Sequence, residues 1–137
     1  MGTQATLSVC EDMRFESSGK LLLVGVYTAD IGIATEEFVV QQLVFLFNIE
    51  FDYITEERHI ISEVTLPGYA PRRHEFRLPA PPPRPERDRA FLRQVVLYQN
   101  EPVNPGRIDA RVIIDGIETQ VAAPWIVLQS VEQAAMT

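Results

Sequence analysis

The chain has 137 residues, 46% of them hydrophobic and 23% charged, with a net charge of −7 and one cysteine. That length gives one domain with its own core, and an average composition excludes global disorder. The acidic balance argues against nucleic-acid coating and anionic membranes; a lone cysteine excludes a disulfide framework or a cysteine-rich zinc site. The first nine residues lack a basic residue, and the longest apolar run is Leu21–Val26, far short of the roughly 20 residues a spanning helix needs. These features predict a soluble, cytoplasmic chain.

In chain order, residues 6–16 and 20–27 read as a hairpin around the turn Ser17-Ser18-Gly19. The second strand is almost continuously aliphatic, which predicts burial on both faces, with Gly25 a bulge or close-contact point. Residues 36–43 fit either a short helix capped by Thr35 or extended chain, since Val39 and Val40 favour the latter. From Leu43 to Tyr53 every odd position is apolar, while Asn48, Glu50 and Asp52 make the other face polar at one end. That alternation predicts a long central antiparallel strand. Glu56-Glu57-Arg58 reads as an exposed turn, followed by strands at 59–66 and 91–99. In residues 107–123 the dipeptide Asp115-Gly116 predicts a type I′ hairpin that pairs Ile114 with Ile117, Val112 with Thr119, Ala110 with Val121 and Ile108 with Ala123. A last strand at 125–128 enters through Pro124, and residues 130–137 read as a flexible tail or a last helical turn.

These elements predict one antiparallel β-sandwich over residues 1–129, of immunoglobulin-like or C2-like type with about seven to nine strands. A small β-barrel is the alternative. The stretch Cys10-Glu11-Asp12-Met13-Arg14-Phe15-Glu16, Gly19-Lys20, Leu23-Val24-Gly25-Val26-Tyr27 and Asp30-Ile31, with the later Pro105-Gly106-Arg107 and Ile114-Asp115-Gly116, resembles an uncharacterised family of small bacterial proteins. The resemblance covers most of the chain outside its proline-rich segment. It implies a β-sandwich and brings no activity, cofactor or catalytic residue.

Candidate chemistry is sparse. A regular strand would point Glu11 inward with Val9 and Met13, so either a bulge near Cys10 shifts the register or Glu11 is buried against Arg14, Lys20 or Arg111. A buried carboxyl can serve as a general acid. Cys10 with His59 or His74 could form a nucleophile and base, although a lone strand cysteine is more commonly a small buried hydrophobe. Asp30, Glu36 and Glu37, or Glu50, Asp52, Glu56 and Glu57, could offer oxygens to calcium, but no spaced calcium-loop motif is present. No cofactor and no metal are expected.

Seven of ten prolines fall between Pro67 and Pro85. The same region, to Arg93, holds seven arginines against three carboxylates, a local balance of +4 in an acidic chain. Residues 78–85 must be largely polyproline II. Two overlapping P-x-x-P-x-R patterns arise, Pro79/Pro82/Arg84 and Pro82/Pro85/Arg87, of the kind that docks on aromatic grooves. Residues 67–89 are therefore expected as a rigid crossover between sheets, with Arg72, Arg73, Arg77, Pro79, Pro82, Arg84, Pro85 and Arg87 as candidate partner-binding residues. The resulting expectation is a non-enzymatic protein-interaction module, acting through that loop on a protein partner or through sheet edges, including as a homodimer. The alternatives are ligand binding or hydrolysis at Glu11 and Cys10 with a histidine, and weak nucleic-acid or anion binding by the arginines.

Overall fold

The computed structural model describes residues 2–84, 86 and 88–129. Among them are eleven strands and no helix: β1 Gln4–Phe15, β2 Leu21–Val26, β3 Ile31–Ile33, β4 Phe38–Asp52, β5 Arg58–Thr65, β6 Arg72–Leu78, β7 Arg89–Val103, β8 Gly106–Arg107, β9 Asp109–Ile114, β10 Ile117–Val121 and β11 Trp125–Leu128. Two four-stranded antiparallel sheets, ordered β2-β1-β4-β7 and β10-β9-β5-β6, pack face to face, and a short sheet β3-β11-β8 adds to them. No sheet closes on itself, so the fold is an antiparallel β-sandwich and not a barrel. The count exceeds the expected seven to nine because β3 and β8 are three- and two-residue pieces and because β6 is a strand.

The alternation of β4 places Leu43, Phe45, Phe47, Ile49 and Phe51 in the core, where they meet Ile60 and Val64 of β5 and Val112 and Ile114 of β9. β4 is central, between β1 and β7, and begins at Phe38, so residues 36–43 form no helix. Val40 and Leu43 are both buried although three apart, which strict alternation forbids. The change of phase falls where the β4–β7 ladder skips Gln41, opposite Asn100 with φ +51°. The β9–β10 hairpin has the expected register, from Ile114 opposite Ile117 to Ala110 opposite Val121. Asp115 and Gly116 take φ of 50° and 83°, as a type I′ turn requires. Ile108 and Ala123 lie beyond that ladder, and β8 pairs instead with β11.

The β1–β2 hairpin also forms, closed by a Gly19 N–H that donates to Glu16 O at 2.9 Å. β2, however, is not buried on both faces. It ends its sheet with β1 as its one neighbour, leaving Leu22, Val24 and Val26 45%, 37% and 45% exposed. The ladder skips the Glu11–Gly25 pair without a register shift. Gly25 sits at φ +67°, and a Cβ there would lie 2.7 Å from Glu11 Oε2. This kink leaves Glu11 exposed, not pointed into the core. Leu21 and Leu23 share a surface cleft with Leu46 and Asn48 of β4. Cys10, Val44 and Leu46 are accordingly buried while standing apart from the main core.

Two further expectations change. Arg58 does not sit in an exposed turn but opens β5, with Nε 2.6 Å from Asp115 Oδ2 and its guanidinium over the Phe51 ring. Residues 72–78 are β6, paired with β5 along its length, so the segment linking the two sheets is residues 79–88. The tail at 130–137 lies outside the described residues.

Candidate protein-contact surfaces

Of the arginines expected to meet a partner, Arg72 and Arg73 are engaged within the chain. Arg72 stacks 4.0 Å over Tyr98, donates to Leu97 O at 2.9 Å and pairs with Glu101 at 2.9 Å. Arg73 pairs with Glu63. Beyond the crossover, Arg89 bridges Glu50 at 3.1 Å and Asp52 at 2.6 Å, and Arg93 donates to Asn48 at 3.1 Å. Arg77 is more open, 3.9 Å from Glu57, and Arg84 is exposed. Part of the local surplus of positive charge, at Arg72, Arg73 and Arg89, is thus taken up by carboxylates of the same chain. Sequence counting misses this because the paired carboxylates come from β4, β5 and β7, distant in the chain.

The proline segment is also held internally. Tyr53 Oη donates to Pro82 O at 2.6 Å, and Pro81 and Pro82 line a cleft with Phe51, Tyr53, Leu78 and Phe91. An extended proline run against aromatic side chains is the geometry of polyproline recognition, here within one molecule. Pro79 and Arg84 are exposed; Pro85 and Arg87 lie outside the described residues.

The catalytic candidates do not assemble. Cys10 is fully buried, its thiol donates to Asp12 O at 3.2 Å, and burial pushes its pKa up, away from the nucleophilic thiolate. His59 and His74 lie on β5 and β6 of the other sheet, bonded to Glu75 and to Val95 O. Asp30 caps the Trp125 N–H at 3.0 Å, and Glu50 and Asp52 hold Arg89. Among the described residues no three His, Cys, Asp or Glu side chains converge as a metal site. An open groove of about 580 Å³ crosses the outer face of β1, β4 and β7 between Gln4, Thr6, Asn48, Glu50, Phe91 and Arg93. Of its charged groups, Glu50 pairs with Arg89 and Arg93 donates to the neutral amide of Asn48.

Among the described residues the buried acid is Glu63, which chain-order patterning does not single out. Burial would raise its pKa, but hydrogen bonds from Arg111 at 2.7 Å and from Arg73 outweigh that and hold it below the ordinary carboxylate value. Arg111 also reaches Glu118 at 3.0 Å, so Arg73, Glu63, Arg111 and Glu118 form a charge ladder across β6, β5, β9 and β10. The outer face of this sheet is therefore charged and internally satisfied.

The edges differ in kind. β6 and β7 end their sheets on the same flank, and β6 covers the β7 edge: Arg72 and His74 hydrogen-bond the Leu97 and Val95 carbonyls. β6, β7 and β10 each carry charged residues, the usual protection against edge pairing. β2 alone among the four edge strands of the two main sheets has none. Its exposed face is aliphatic, and Phe15 beside it is 76% exposed.

Compared with models of known families the chain matches none, and no curated protein matches it. Among the described residues no helix is long and apolar enough to cross a membrane.

Proposed function

We propose that this chain is a non-enzymatic protein-interaction module whose contact surface is the edge strand β2. The observation that carries the reading is the uncharged strand Leu21–Val26, ending its sheet with Leu22, Val24 and Val26 exposed while the opposite flank is capped by side chains. A row of unpaired backbone groups flanked by aliphatic side chains favours strand addition. The burial of Cys10 and the outward position of Glu11 support a role without catalysis, and a reduced, buried lone cysteine suits a cytoplasmic setting. The arginine–proline segment is the lesser route, because Tyr53, Glu63 and Glu101 already occupy much of it.

The test is the native size of the chain in extracts of cells producing it. Val24→Lys places a charge on the edge and is expected to reduce an assembly to the size of the free chain, whereas Arg77→Glu leaves it unchanged. Collapse by Arg77→Glu alone would move the contact to the arginine segment.

A further inference from the structure

We propose that the cleft beside the covered face of β2 binds a small amphiphile with a carboxylate head and an alkyl chain. The covered side of β2 carries this site, so it stands apart from the exposed edge proposed as a contact surface. The alternation of β2 turns over at Gly25, which sits at φ +67° while the Tyr27 N–H donates to Val9 O at 2.8 Å. Leu21 and Leu23, ahead of that kink, are half-buried and share a cleft of about 430 Å³ with Lys20, Leu46, Asn48 and Arg93. A space of this size suits a small molecule.

Charge names the head group. Eight arginines stand within 3.9 Å of a carboxylate of this chain. Among the described residues Lys20, Arg84 and Arg93 are the lysine and arginine side chains with no such pair, and two of those three line this one cleft. Arg93 donates from Nε to Asn48 Oδ1 at 3.1 Å, an uncharged partner, and keeps both terminal nitrogens for the fork that a carboxylate accepts. Lys20 adds an ammonium with three donors. Glu50, the acid of the adjoining groove, is held by Arg89 at 3.1 Å and so does not oppose an anion.

The walls name the tail. Leu21, Leu23 and Leu46 make one side of the cleft aliphatic, and Leu46 is 3% exposed. An alkyl chain laid against them leaves water, whereas a second charge would be stranded among three leucines. Asn48 and Arg93 line both this cleft and the open groove of about 580 Å³, so the two spaces meet at a cationic end. A carboxylate there stays hydrated through the groove while its chain is covered.

Titration calorimetry of the purified chain with decanoate, below its micelle concentration, should show one saturable site. Affinity should fall about two- to fourfold with each methylene removed from the chain. Arg93→Gln and Lys20→Gln, each with β-sheet circular dichroism retained, should weaken decanoate about tenfold. Arg84→Gln, which removes the unpaired arginine outside the cleft, and Val24→Ser, on the exposed side of β2, should leave binding unchanged. Decyltrimethylammonium, with the same chain and the opposite charge, should not bind. The absence of saturable decanoate binding overturns the site, as does equal binding of decyltrimethylammonium or equal weakening by Arg84→Gln and Arg93→Gln. Weakening by Val24→Ser but not by Arg93→Gln would place the alkyl chain on the exposed edge and overturns it also.

Discussion

Glu63 is 2% exposed and depends on two arginines from neighbouring strands, so its environment stabilises the charged form against burial. A carboxylate whose pKa is lowered on folding adds stability above its unfolded value of about 4.3, and that stability is lost as pH falls through the lowered value. Acid denaturation followed by circular dichroism should therefore show a limb below about pH 4 that Glu63→Gln flattens. Arg111→Ala, leaving Glu63 with Arg73 alone, is expected to cost about 1–3 kcal/mol in urea unfolding at neutral pH. A second buried polar pair bridges the sheets: Ser62 Oγ donates to Gln94 Oε1, and Gln94 Nε2 donates to Ile60 O at 3.4 Å. Ser62→Ala strands the Gln94 carbonyl at a cost of about 1–3 kcal/mol, and Gln94→Leu added to it should recover part of the loss. A double variant less stable than Ser62→Ala would contradict that account.

Elements show how far chain-order reading reached. Residues 110–121 were legible to the register because turn chemistry and hydrophobic pattern coincide there, and Leu43–Phe51 because one face is apolar without interruption. β2 was legible as a strand but not as an edge: an aliphatic run looks the same whether a second sheet or solvent lies beyond it. β6 was hidden by prolines on both sides, although its own seven residues contain none. Glu63 stands between Ser62 and Val64 in a strand with no partner charge nearby in sequence, so only the neighbours supplied by β6 and β9 explain it. The kink at Gly25 decides where Glu11 points. Gly25→Ala puts a Cβ at positive φ against Glu11, and should destabilise the chain by about 1–2 kcal/mol in thermal unfolding while leaving the β9–β10 hairpin register unchanged.

At the scale of the whole molecule, charge and apolar surface are distributed unequally. One sheet presents a charge ladder that satisfies itself, one flank is capped by Arg72 and His74, and the crossover is held on Tyr53. Arg72, Arg73, Arg89 and Pro82 thus serve the fold, and β2 stands as an unprotected aliphatic edge. A photo-reactive residue placed at Val24 and, separately, at Gln120 on the charged sheet reads that asymmetry in cells. Protein adducts are expected from position 24 and not from position 120; adducts from 120 with none from 24 would contradict the assignment of β2 as the contact edge.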